Sequence, residues 1–196
     1  MRSGRTEREH LLLDLYSCYL LPTYTLLFAG SNGWFDTNFS VLAVGGLDQY
    51  RSFLLWGLVT AVYFGVLLIR VMAVLSPTRR LAVRVLLGAA LFQLIFGVLL
   101  PYLPEQFPRL STVHIMLCFS TSVFMMAALL VTILELYQRE RERYRSVMHG
   151  WWRIVVGSGI LFFLAGMVSS ALEIYFVLSA ALLCRRLYRL QEEGIQ

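Results

Sequence analysis

His114 is the residue with the greatest potential for chemistry in this sequence, because it is the one histidine inside a long apolar run, residues 110–137. An imidazole exchanges protons near neutral pH, and an ionisable group within a membrane segment marks a candidate functional site. Several polar residues are expected near it on the outer side of the membrane. The predicted ligand-binding site comprises His114, Asn38, Ser40, Asp48, Glu105 and Glu173. A structural histidine held by hydrogen bonds is the alternative interpretation.

Small and polar residues recur along the same run at steps of three and four, which places them on one helix face. Polar groups avoid lipid, so this face is expected to point into the protein. It would line a cavity or a proton path, or it would pack closely against neighbouring helices. This polar stripe comprises Ser111, His114, Cys118, Thr121, Met125, Ala128, Thr132 and Glu135.

Asp14 is a second candidate, within the first apolar run and on the predicted inner side. Its carboxylate would carry protons or would reach towards the inner interface. Pro22, further along the same run, predicts a kink in that helix. In the fifth predicted span, Gly157, Gly159 and Gly166 indicate close helix packing.

Most metal and cofactor chemistry is not expected here. A zinc site needs at least three convergent ligands, and His10 and His149 are predicted on the side opposite to His114. No phosphate loop or dinucleotide motif is present, so no metal and no cofactor are predicted. Ser40 and His114 could still meet on the outer side with an acidic residue, which keeps a lipid hydrolase or transferase as an alternative.

The composition places the chain in a membrane. Hydrophobic residues make up 58% of it and charged residues only 15%, against about 25% charged in soluble domains. These values exclude a soluble enzyme and a nucleic-acid-binding protein. The three cysteines are dispersed, so neither a disulfide framework nor a cysteine metal motif is expected.

We therefore predict an all-α, polytopic membrane protein with one transmembrane domain, residues 1–196, in a bundle of six helices. A spanning helix needs about 20 apolar residues, and six segments approach that length. The predicted spans are residues 11–29, 52–75, 81–103, 110–137, 154–168 and 171–190, with a tight turn between the last two.

The distribution of arginines predicts the orientation of the helices in the membrane. All 17 basic residues are arginines; fourteen would lie on one side of the six spans, and only Arg51 and Arg109 on the other. The positive-inside rule then places both the N- and C-termini in the cytoplasm, and we predict a bacterial plasma membrane. The basic segment 138–153 is expected to be an inner loop. The apolar segment 39–44 is expected to lie on the membrane or to fold over the outer mouth of the bundle.

Three features resemble a group of small six-helix membrane proteins, which includes the bacterial family of unknown function related to Frag, DRAM and Sfk proteins. These are the apolar loop segment Asn38-Phe39-Ser40-Val41-Leu42, the proline-rich turn from Pro104 that leads to His114, and two short joined helices with Ser169-Ser170-Ala171-Leu172-Glu173 and Cys184-Arg185-Arg186-Leu187. The resemblance implies lipid handling at the outer leaflet.

The favoured functional prediction is an integral membrane protein that binds or organises lipids or other amphiphiles at the outer leaflet, without a predicted catalytic activity. One alternative is a small transporter or channel with a path along the polar stripe. The other is the outer-leaflet hydrolase or transferase. Membrane lipids are the predicted partners, together with a homo-oligomer or another membrane protein; no nucleic acid is expected.

Overall fold

A computed structural model of the chain describes residues 10–31 and 33–194, and the regular elements in these ranges are helices. Their bounds are α1 (His10–Ala29), α2 (Phe39–Ala43), α3 (Leu47–Val71, continued by a 3₁₀ turn at Met72–Val74), α4 (Pro77–Leu99), α5 (Pro108–Arg139), α6 (Arg141–Ala165) and α7 (Ser170–Glu193).

Five of the described helices, namely α1, α3, α4, α5 and α6, are long and apolar enough to cross a membrane. This agrees with the predicted class, an all-helical membrane protein. The sixth predicted span corresponds to α7, which has 24 residues, but the arginines and glutamates in its last third make it less apolar than the other long helices.

The long helices alternate in direction, and this gives the bundle two ends. The loop end contains the described connections 30–31 and 33–46, 100–107 and 166–169, whereas the terminal end contains residues 75–76, Glu140 and both ends of the described chain. α3 is the central helix: it packs against α1, α4 and α7, and half of its most apolar window is buried, against 17% for α1. The core therefore surrounds α3.

Segment 39–44 folds over the loop end, which is one of the two arrangements expected from its sequence. Asn38 caps α2 by accepting a 2.9 Å hydrogen bond from the Val41 amide. The fully buried Phe39 ring packs edge-to-face on Phe28 and on Trp56, at centroid distances of 5.1 and 5.0 Å. These aromatic contacts hold α2 against α1 and α3.

The prediction that residues 138–153 form a loop is wrong. Glu140 alone separates α5 from α6, which begins at Arg141 instead of residue 154. Arginine and glutamate are good helix formers, and their charge does not by itself end a helix. One face of this segment is also buried, with Val147 in the core and the Trp151 indole donating to the Met126 carbonyl at 3.0 Å.

Two backbone features match the positions where the sequence predicts irregularity. Tyr16–Leu20 forms a π-helical turn, in which the Leu21 amide donates to the Tyr16 carbonyl. It lies directly before Pro22, whose missing N–H and ring disfavour regular α-helical bonding there. α6 ends at Gly166, whose φ of 68° is left-handed, so the chain turns into α7 within residues 166–169.

Candidate functional site

The candidate site lies at the loop end, where four elements meet around the His114 imidazole. His114 is in the second turn of α5 and is only 2% exposed. Its Nδ1 lies 2.7 Å from the Leu100 carbonyl oxygen at the end of α4. Its Nε2 lies 2.7 Å from the Ser40 hydroxyl of α2, a side chain that stays partly exposed. Both ring nitrogens are therefore engaged.

The carbonyl determines which nitrogen carries the proton. A carbonyl oxygen can only accept a hydrogen bond, so Nδ1 of His114 donates to Leu100. In the neutral imidazole, Nε2 then has a lone pair, and the Ser40 hydroxyl donates to it. A hydroxyl bonded to a base that a third group orients is the arrangement of an activated nucleophile.

The proline-rich connection explains why the Leu100 carbonyl is available. Pro101 disfavours helical geometry at the preceding residue, and Leu100 is extended, with φ −84° and ψ 113°. Its carbonyl therefore leaves the α4 helix. The Leu103 amide donates to the Ser111 hydroxyl at 3.0 Å, which ties the connection to the first turn of α5. The Tyr102 ring lies 5.7 Å from the imidazole, centroid to centroid.

The start of α7 positions Ser40. The Glu173 carboxylate accepts a 2.7 Å hydrogen bond from the Phe39 amide, at the first turn of α2. In return, the amides of Ser170 and Ala171 donate to carbonyls of the connection before α2, those of Thr37 and Trp34, at 2.7 and 2.9 Å. These bonds satisfy helix-start amides that have no acceptor within their own helix. They fix α2 relative to α7.

The six predicted ligand-binding residues do not all meet. Ser40 and His114 are in direct contact, whereas Glu173 bonds to the backbone of α2. The Asn38 side chain is used as the α2 cap. The Asp48 carboxylate is 92% exposed and lies 3.6 Å from Arg51. Glu105 is exposed in the connection 100–107.

The hydroxyls of the polar stripe mostly bond back to their own helix. Thr121 donates to the Leu117 carbonyl and Thr132 to the Ala128 carbonyl, each at 2.8 Å. The buried Met125 side chain lies between these two threonines along the helix. Cys118 is next to the site, with its Sγ 3.7 Å from Nε2 of His114. Over most of its length the stripe supports packing more than a continuous polar path.

Glu135 ends the stripe and caps a helix at the terminal end. Its carboxylate accepts from the Ser76 amide at 2.9 Å, directly before α4, and is also paired with Arg139. This is a helix-capping role that its sequence position did not reveal.

A separate charged cluster joins α1 to α7 at the terminal end. Asp14 accepts from Arg185 Nε at 2.7 Å and pairs with Arg189 at 3.2 Å. Arg185 is only 4% exposed, and its Nη2 lies 3.1 Å from His10 Nδ1. His10 Nε2 also lies 2.5 Å from the Glu192 carboxylate. Asp14 therefore has a buried partner.

The sequence did not indicate two of these partners. The Leu100 carbonyl gives no signal of its own, although Pro101 after it marks a backbone group that leaves a helix. The pair formed by Asp14 and Arg185 could have been found, since each lies towards the terminal end of an antiparallel helix. Within the described residues, no group of three or more histidine, cysteine or acidic side chains could hold a metal ion.

Comparisons with protein-family models, with curated proteins and with solved structures find no match to this chain. The resemblance to the Frag, DRAM and Sfk group therefore stays a prediction.

Proposed function

We propose that this membrane protein binds amphiphilic esters at the loop end and uses Ser40 and His114 as nucleophile and general base in acyl transfer. The observation that carries the proposal is the chain of two 2.7 Å hydrogen bonds from Ser40 through His114 to the Leu100 carbonyl. Lipid binding, the function favoured from sequence, becomes the first step of this reaction. The second step is transfer of the acyl group to water or to another alcohol.

The proposed orientation places the loop end in the outer leaflet. The positive-inside rule supports it, because most of the described arginines lie towards the terminal end, whereas Arg51 and Arg109 lie at the loop end. In this arrangement α7 is the sixth span, and both termini are cytoplasmic. The ion pair between Asp14 and Arg185 would then lie towards the cytoplasmic interface, where charged groups are less costly than at the bilayer centre.

The reaction follows from the assigned proton positions. His114 Nε2 accepts the Ser40 proton while Ser40 Oγ attacks the ester carbonyl carbon. The carbon–oxygen bond to the alcohol then breaks, and the alcohol leaves with the proton from His114. Water, activated by His114, cleaves the acyl-Ser40 ester and releases the carboxylic acid. Throughout, the Leu100 carbonyl holds the ring with Nε2 towards Ser40.

Exposed apolar side chains at the loop end favour a substrate with acyl chains. Val41, directly after the proposed nucleophile, is exposed, as are Trp34 and Phe35 in the connection before α2. Phe107 and Leu110 are exposed at the start of α5. Apolar side chains at this level would contact the outer leaflet, from which an amphiphile would approach Ser40 laterally.

The geometry gives less support to lipid binding without catalysis and to a transporter or channel. A headgroup could not bond to His114 without displacing a partner, because both ring nitrogens are engaged. A transport path along α5 would need free polar groups at mid-depth, where Thr121 and Thr132 bond to their own helix.

The experiment is turnover of phospholipids with labelled acyl chains in vesicles that contain the purified full chain. We expect release or transfer of the labelled acyl group, its loss in Ser40→Ala, and a decrease of about 10²–10⁴-fold in His114→Gln. Ser120→Ala is the matched control, since this serine is half-buried like Ser40, lies on the helix that carries His114, and bonds to the Met116 carbonyl. Wild-type turnover in folded Ser40→Ala would contradict the proposal.

A further inference from the structure

A groove between α3 and α4 at the terminal end is unrelated to the Ser40 site. Its volume is about 560 Å³, which is within the range of about 300–1,000 Å³ typical of small-molecule sites. Apolar side chains form most of its wall, and two arginines stand at one end. The lining includes Ile69 and Met72 from α3, and Arg80, Arg84, Leu87 and Leu91 from α4.

The two arginines lie on one face of α4 because they are four residues apart. They follow Pro77 by three and seven residues, so they lie about 5 and 10 Å along the helix from its start. Leu87 and Leu91 continue the same face towards the loop end. The groove therefore changes from cationic to apolar with depth, as a phospholipid changes from phosphate to acyl chain.

Arg80 is held in place by backbone carbonyls between α3 and α4. Its Nη2 donates to the carbonyls of Ala73 and Leu75, at 2.6 and 2.9 Å. Its buried Nε has no hydrogen-bond partner within the described part of the chain. Arg84 is exposed. None of the lining residues is acidic, so the charge of the groove is complementary to an anion.

Gly88 leaves space in the middle of the apolar part. It lines the groove, and a Cβ added to it would meet no atom within 4 Å. A larger residue at this position could therefore enter the groove without a clash against the bundle.

We propose that this groove binds an anionic phospholipid of the leaflet at the terminal end, with the phosphate on Arg80 and Arg84 and an acyl chain over Gly88. The charge complementarity and the apolar continuation along α4 select a lipid over a free phosphate. The site is independent of the proposed chemistry at Ser40, because it lies at the opposite end of the bundle.

The test is a titration of the detergent-solubilised full chain with dioleoylphosphatidylglycerol, followed by native mass spectrometry. Dioleoylphosphatidylcholine and inorganic phosphate are the comparison ligands. We expect the anionic lipid to bind at least about 5-fold more tightly than the zwitterionic one. The double variant Arg80→Gln, Arg84→Gln should weaken binding of the anionic lipid about 25-fold, because each arginine contributes about 5-fold.

Two further variants distinguish the contribution of the arginine charges from that of the shape of the groove. Gly88→Leu keeps both arginines and fills the space, so it should also weaken phosphatidylglycerol binding. The double variant Arg51→Gln, Arg109→Gln removes the same amount of charge at the loop end and should leave phosphatidylglycerol binding unchanged. The proposal would be overturned by wild-type binding in folded Gly88→Leu, by equal binding of the two lipids, or by displacement of the lipid with inorganic phosphate.

Discussion

At the scale of single residues, the central feature is an imidazole whose two nitrogens have different partners. The Leu100 carbonyl can only accept, so it fixes the His114 tautomer and leaves Nε2 to face Ser40. The sequence indicated both Ser40 and His114, because each is a polar residue near the predicted outer surface. It could not indicate which atoms meet, since that depends on where α2 folds back and on the direction of one carbonyl.

Glu173 is expected to act as a positioning residue, through its bond to the Phe39 amide of α2. Glu173→Gln retains a carbonyl oxygen that can accept this hydrogen bond, so acyl turnover should stay near the wild-type rate. Glu173→Ala removes the acceptor and should lower turnover about 10-fold, because Ser40 is then held less firmly against His114. The measurement is the turnover of labelled phospholipid in both variants. An equal loss in both would show that the charge of Glu173, not its hydrogen bond, is required.

Asp14 is expected to contribute to stability through buried Arg185. Removing one member of a buried pair costs about 3–5 kcal/mol, and the partial exposure of Asp14 reduces that value. We expect Asp14→Ala to lower the free energy of unfolding in detergent by about 2 kcal/mol. Asp48→Ala, which removes the exposed partner of Arg51, should change it by less than about 0.5 kcal/mol. Equal effects in chemical unfolding curves would contradict a structural role for the Asp14 pair.

At the scale of elements, the apolar runs predicted the long helices, whereas charge was a poor guide to where they end. Residues 141–153 are helical because arginine and glutamate favour a helix and because Val147 and Trp151 bury one face. Pro101 and Gly166 lie where two helices end, because each directly restricts or permits a backbone geometry. The predicted span 81–103 ran past Pro101. Segment 39–44 forms a helix too short for hydropathy alone to identify.

The sequence predicts close helix packing at both Gly157 and Gly159 of α6, but only Gly157 packs closely against α7. A Cβ on Gly157 would lie 2.3 Å from the Tyr175 hydroxyl oxygen, whereas a Cβ on Gly159 would meet no atom within 4 Å. Gly157→Ala should therefore displace the Tyr175 ring and its 2.8 Å bond to the Arg153 carbonyl, at a cost of about 1–2 kcal/mol. Gly159→Ala should be neutral or stabilising by up to about 1 kcal/mol. Thermal unfolding of both variants measures the difference, and the same melting temperature for both would contradict this packing.

At the scale of the whole molecule, we propose six spans with the loop end outside. The fold class followed from composition, because a chain with 58% hydrophobic residues cannot keep that surface from water outside a bilayer. The number of spans is harder to predict, because α7 combines an apolar first part with a charged last third. Its contacts with α3 and α6 place it in the bundle, which supports its proposed role as the sixth span.

Cysteine labelling tests this orientation. In a cell-based assay on a variant without Cys18, Cys118 and Cys184, an impermeant maleimide should label Glu105→Cys from outside. It should label Glu140→Cys only after the membrane is opened. The opposite pattern would place the proposed acyl-transfer site on the cytoplasmic side.

The most direct test of the central claim is covalent capture of the proposed nucleophile. A fluorophosphonate reacts with a serine hydroxyl that a neighbouring base activates, so the folded full chain should gain one adduct, and peptide mass spectrometry should map it to Ser40. His114→Gln should lose the adduct, whereas Ser120→Ala should retain it. An unmodified Ser40 in folded protein, or equal modification of Ser40 in His114→Gln, would contradict the account.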